Sequence, residues 1–156
     1  MTKHGSKKLT IELTIAHFKI LLKSVYLGEW MANAFRTDDR KKEYELIQNL
    51  VFSHCKDIGL EKYVSHEESD GSHYYPTADF EESMDVDNLI EEYNDDLFWD
   101  ELAERLGEKE FFKKYSKEEI LNMNEVEWYT KLYECIGKFY NEFAMNGLDR
   151  LGIEEN

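Results

Sequence analysis

Five carboxylates, Glu91, Glu92, Asp95, Asp96 and Asp100, fall within ten residues and surround Trp99. Acids one helical turn apart bring hard oxygen donors to one flank, which suits Mg²⁺ or Mn²⁺. Left unpaired, the same groups attract lysine- and arginine-rich surfaces and speed association with them at low salt. The two chemistries differ in geometry: a metal needs convergent acids, whereas a basic partner needs only exposed ones.

Other reactive residue types are poorly arranged. Ser53, His54 and Cys55 are adjacent, so a helix points them in different directions and no nucleophile meets its base. His66 and His73 could approach each other across a hairpin, with Glu67 and Glu68 beside them, as a surface metal site; incidental surface histidines are the plainer reading. Asp85-Val86-Asp87 starts like a calcium loop, but Leu89 and Ile90 stand at its fifth and sixth positions, where the sixth calls for glycine. There is no paired Cys/His spacing for zinc, no phosphate-cradling glycine loop and no dinucleotide fingerprint. No catalytic residue, metal or cofactor is expected on these grounds.

Charge is distributed one-sidedly. Residues 1–60 hold 10 Lys/Arg against 7 Asp/Glu, residues 61–125 hold 6 against 21, and residues 126–156 hold 3 against 6. The middle segment alone therefore matches the whole net charge of −15. From Tyr63 to Glu104 there are 15 acids and no lysine or arginine. Such a field repels phosphates, so direct nucleic-acid binding is not expected. A basic protein partner is the corollary, bound through Glu91, Glu92, Asp95, Asp96, Trp99 and Asp100, with a nucleic-acid mimic as one case. A solvated acidic surface that serves solubility alone is the bland alternative.

The elements that must position these residues read as helices. At 156 residues with a single proline, Pro76, the chain suits one mainly α, bundle-like domain over 9–148, with tails at 1–8 and 149–156. Thr14 is a plausible cap for a helix from Ile15 to Arg36, whose apolar face carries Phe18, Leu21, Leu22, Val25, Tyr26 and Trp30; Gly28 suggests close packing against another helix. Residues Leu9 to Leu13 alternate like a short strand or form the first turn of that helix. Asp38 or Asp39 caps a second helix with Tyr44, Ile47, Val51, Cys55 and Ile58 inward, ended by Gly59. Residues 62–75 read as a hairpin turning at Asp70-Gly71, or as an ordered loop. Asp85 caps a helix carrying Leu89, Ile90 and Tyr93, and Asp95 or Asp96 caps another closed by Gly107. Ser116 and Glu119 make a capping box. A last helix, Glu125 to Asn146, turns Tyr129, Leu132, Tyr133, Ile136, Phe139, Tyr140 and Phe143 to one face. Glu127–Lys131 and Glu134–Lys138 line its other face, and Gly147 ends it.

No apolar run approaches the roughly 18–20 residues that cross a bilayer, so no membrane span is expected. Cys55 and Cys135, on apolar faces far apart in sequence, read as buried thiols in a reducing cytoplasm. The first helix is apolar over more than one face, which points to a homodimer burying Trp30, Tyr26 or Trp128 between chains.

Two resemblances follow. The segment Val25-Tyr26-Leu27-Gly28-Glu29-Trp30-Met31-Ala32-Asn33-Ala34, with Phe98-Trp99-Asp100-Glu101-Leu102 in the acidic middle, resembles an uncharacterised prokaryotic family of small acidic proteins. That likeness implies a compact helical domain and no particular activity. Glu91, Glu92, Asp95 and Asp96, followed by Asp100, Glu101 and Glu104, loosely resemble the acidic helices of all-α nucleotide pyrophosphohydrolases. That family carries paired acidic motifs on two separate helices, and only one is present. The leading expectation is a non-enzymatic accessory protein of inhibitor, immunity or mimic type. The alternative is a Mg/Mn-dependent nucleotide phosphohydrolase.

Overall fold

The computed structural model describes residues 8–67 and 73–152, which form six α-helices and one two-stranded antiparallel sheet. The mainly α class with a small hairpin therefore holds. Within the span read as one domain, contacts gather into two compact units, Met1–Ile90 and Glu91–Asn156. Among the described residues, no helix is long and apolar enough to cross a membrane.

In the first unit, α1 (Ile15–Asn33) starts where Thr14 accepts a hydrogen bond from the His17 amide at 3.2 Å. It stops short of Arg36 because Asn33, only 1% exposed, bonds onward to the following loop. The Asn33 amide donates to the Lys41 carbonyl, and its Oδ1 accepts from the Lys41 N–H at 2.6 Å. The second helix, α2 (Lys42–Phe52), is not capped by Asp38 or Asp39. Asp39 pairs with Arg36, and Lys41 occupies the cap position without a side-chain bond. After α2 a 3₁₀ turn, Lys56–Ile58, leads to Gly59 at φ 74°, a left-handed position that glycine adopts without strain. Gly28 has no packing role, since a Cβ there would meet nothing within 4 Å.

The strands β1 (Val64–Glu67) and β2 (His73–Pro76) pair with His66 opposite Tyr74 and Glu67 opposite His73. The proposed Asp70-Gly71 turn lies outside the described residues. Alternation along a strand sends His66 and His73 to opposite faces, which corrects the expectation that they approach each other. His66 stacks on Tyr74 instead, with ring centroids 4.5 Å apart. Thr77 caps α3 (Ala78–Met84) and also donates to the Lys62 carbonyl at 2.7 Å. The core of this unit gathers Leu22, Phe52, Cys55, Tyr63, Phe80 and Val86. At its edge the Tyr26 hydroxyl donates to Glu81 at 2.9 Å; burial, then this carboxylate, push the phenol's pKa well up.

The largest departure from expectation is α4 (Val86–Lys114), a single 29-residue helix where two were predicted. Asp85 ends α3 at φ 53°, while Asp95 and Asp96 lie exposed in mid-helix and cap nothing. Gly107 does not close a helix either. It is buried where α4 meets α6 (Glu125–Asn146), and a Cβ added there would stand 2.6 Å from the Ile136 Cα and 2.8 Å from its N. Composition marks a glycine as a stop, but here it is a contact point between two helices.

The remaining elements of the second unit follow expectation closely. Ser116 and Glu119 form the capping box of α5 (Lys117–Asn122), Asn124 caps α6, and Gly147 ends it. Lys131 pairs with Glu127 at 2.6 Å, but Lys138 reaches Glu110 on α4 rather than Glu134. Phe111, Leu132, Cys135 and Ile136 form the core. Tyr129, Tyr133 and Tyr140, expected on that seam, are exposed. Both cysteines are free and buried, as expected.

Candidate functional site

All six acidic-site positions lie on α4 in the second unit. Glu91, Glu92, Asp95, Asp96 and Asp100 are exposed. At about 100° per residue they sweep roughly half the helix circumference. They therefore diverge rather than converge, and among the described residues no group of three or more His, Cys, Asp or Glu is placed to hold a metal ion.

Neutralisation is sparse. Of the seven acids from Glu91 to Glu104, the ion pairs among the described residues engage only Glu101, bound to Arg105 at 2.7 Å. Exposed Tyr93, Leu97 and Phe98 lie between the carboxylates. Leu97, Phe98 and Leu102 line a shallow groove with Asn94, Glu101 and Arg105 at its polar edge. Trp99 takes a different role: half-buried, it packs on Phe98 and Phe143 at centroid distances of 5.0 and 5.5 Å. It positions the helix more than it offers a contact. Burial first, then the nearby Asp100 carboxylate, raise the Tyr140 pKa at the same place.

A second site, in the first unit, has no counterpart in the sequence reading. Glu29 of α1, Arg40, the α2 residues Glu45, Gln48 and Asn49, and the β2 segment His73–Tyr75 line a cavity of about 430 Å³. Arg40 bridges two carboxylates, with Nη2 2.7 Å from Glu29 and Nε on Glu45. The Glu45 hydrogen bond, then the charges of Glu29 and Glu45, hold its pKa even higher than usual. The same Glu29 oxygen accepts from the buried Asn33 amide at 2.9 Å. Asn49 Oδ1 accepts from the Tyr74 amide at 2.7 Å, fastening β2 to α2. Gln48 Oε1 is shut off from solvent without a hydrogen-bond partner.

The inward side of α2 and of the turn after it agrees with expectation in part: Val51, Cys55 and Ile58 meet the core as expected, and polar residues of α2 line the cavity beside them. Glu45, Gln48, Asn49 and Phe52 share the inner side of α2, while Leu46, Ile47 and Leu50 are 63%, 52% and 57% exposed. Tyr44, expected inward, is exposed too. Burying a leucine or isoleucine fully is worth about 1.5–3 kcal/mol, so much of that gain is forgone at three positions. Conflict between local pattern and fold of this kind occurs at functional sites and at strained ones. The signal was present as a polar stripe at i, i+3 and i+4, but stripes are ordinarily read by their apolar members.

Comparison with family models, curated proteins and solved structures finds no match.

Proposed function

We propose that this chain is a non-enzymatic, acidic accessory protein of the cytoplasm, prokaryotic in type, that captures a basic protein partner through the exposed stretch of α4. The observation that carries this reading is the set of exposed carboxylates at Glu91, Glu92, Asp95, Asp96 and Asp100, none engaged in an ion pair among the described residues. Tyr93, Leu97 and Phe98 add apolar area beside them, so a lysine- or arginine-rich segment with apolar residues of its own fits best. Inhibitor, immunity and nucleic-acid-mimic roles all use such a surface. The two free buried thiols support a reducing compartment.

The test is capture of defined basic proteins at low and high salt by the native chain and by a variant with Glu91→Gln, Glu92→Gln, Asp95→Asn and Asp96→Asn. Binding weakens with salt in the native chain, and the variant loses both affinity and salt dependence. Capture indifferent to both changes removes the proposal. A second reading concerns the outer side of α2, where exposed Leu46, Ile47 and Leu50 support contact with a second copy of the chain. Sedimentation velocity is then concentration-dependent, and Leu46→Lys with Leu50→Lys abolishes the dependence; a monomer at every concentration excludes it.

A further inference from the structure

We propose that the pocket between α4 and α6 binds a trimethylammonium head group, with the rings of Trp99, Tyr140 and Phe143 as its walls and the Asp100 carboxylate at its rim. These residues and Ala144 line a cavity of about 260 Å³. That is far more than the roughly 30 Å³ of one water and just below the roughly 300–1,000 Å³ of sites for drug-sized molecules, so a head group is the right size. Ala144 is the one small side chain in this lining and leaves the space that a longer one would fill.

The rings select a cation. Trp99 is held against Phe98 and Phe143, with 5.0 and 5.5 Å between centroids, so this wall stands before any ligand arrives. A cation seated beside Trp99 and Phe143 can lie within about 6 Å of both centroids, the range over which a ring face attracts it. Among the described residues, the chain's own lysines and arginines stand over Phe35, Tyr63, Tyr74 and Tyr115, and none stands over Trp99, Tyr140 or Phe143. Charge agrees. Asp100, Glu104 and Asp96, one turn apart on α4, all act on the Tyr140 hydroxyl, and none of the three is in an ion pair among the described residues. Burial first, then the Asp100 carboxylate, raise the phenol's pKa, so Tyr140 stays neutral and the carboxylates carry the charge. Methylation follows from the lining. A bare ammonium carries three N–H donors and a tight water shell, both costly to give up against three rings and a methyl group. A trimethylammonium has no donor to lose and turns methyl groups to the rings at full charge.

The indole N–H signals of Trp30, Trp99 and Trp128, followed by NMR in the isotope-labelled full chain, test the assignment. Choline moves the Trp99 signal saturably and leaves the other two in place. The response is lost in Ala144→Leu, which fills the pocket from an exposed helical position, and is roughly threefold or more weaker in Asp100→Asn. Circular dichroism checks the fold of both variants. Butylammonium and the neutral carbon isostere of choline each bind more weakly than choline. A peptide bearing trimethyllysine that binds more tightly than choline assigns the head group to a protein side chain, and the reverse order assigns it to a small molecule. The inference is overturned by any of three results: no saturable shift at Trp99 with either trimethylammonium probe, a shift that survives Ala144→Leu, or the neutral isostere bound as tightly as choline. Capture of a basic protein by the upstream acids is a separate measurement, and its failure leaves this site standing.

Discussion

Replacing Gly107 by alanine adds one methyl group at the closest approach of α4 to α6. Intrinsic helix propensity favours the change by about 1 kcal/mol, because glycine is the poorer helix former. Packing opposes it. The new Cβ would lie 2.6 Å from the Ile136 Cα and 2.8 Å from its N, and backbone atoms cannot rotate away as a side-chain end can. Ordinary contact needs nearly 1 Å more, and a gap of about 0.5–1 Å along a seam forfeits roughly a quarter to a half of each dispersion contact. Phe111, Leu132, Cys135 and Ile136 belong to the core beside that contact. Overpacking typically costs about 1–3 kcal/mol, and a backbone clash belongs at the upper end, so the net loss is about 2 kcal/mol after the propensity gain. Urea denaturation monitored by circular dichroism reads this directly. Gly28→Ala is the matched control: with nothing within 4 Å of its Cβ, it stabilises by about 0.5–1 kcal/mol. A neutral or stabilising Gly107→Ala would refute the close approach on which the description of the second unit depends.

Other outcomes follow from the described contacts. Tyr26→Phe removes the 2.9 Å hydrogen bond to Glu81 and lowers stability by about 1–2 kcal/mol at neutral pH, read from denaturant midpoints. Because the folded-state pKa of Tyr26 is raised, its contribution is complete below pH 10 and declines as pH rises above that value, when only the unfolded phenol ionises; the native chain therefore loses more stability there than the variant. Glu119 moves the opposite way. Hydrogen bonds first from the Ser116 backbone and then from its hydroxyl lower the Glu119 pKa, so its contribution is present above about pH 4.5 and fades on acidification, a dependence that Ser116→Ala reduces in acid denaturation curves. Cys55 and Cys135 are each 0% exposed, and burial pushes the Cys55 thiol up to about 11, so thiol titration finds neither reactive until the chain unfolds.

The sequence was readable wherever a local signal had one interpretation. Thr14, Ser116 with Glu119, the Glu125–Asn146 helix ended by Gly147, and the strand pair around residues 62–75 each carry a local signal, and each element formed where its chemistry indicated. Signals with two interpretations failed. Asp95 and Asp96 look like caps, yet a helix already under way needs none; Gly107 looks like a terminator, yet the close approach of Ile136 demands it. The acidic stretch was visible because charge is additive along a chain, and its exposure is what the fold contributed. The cleft was invisible because it joins Glu29, Arg40, Gln48 and His73 across four segments, and because α2 carries two stripes of equal periodicity. Which stripe turns inward is a tertiary decision.

The bare acidic turns of α4 bear on local order. Glu91 and Asp95, Glu92 and Asp96, Asp96 and Asp100, and Asp100 and Glu104 are like charges at i, i+4, and each pair weakens a helix by a few tenths of a kcal/mol. With little burial from Glu91 to Phe98 to offset this, that segment unwinds more cheaply than the turns around Gly107. Its backbone amides exchange with deuterated solvent sooner than those near Ile136, and a polycation laid along it slows them. Counter-charge thus acts there as a folding ligand, and occupancy of the surface is legible in the exchange rate of the helix beneath.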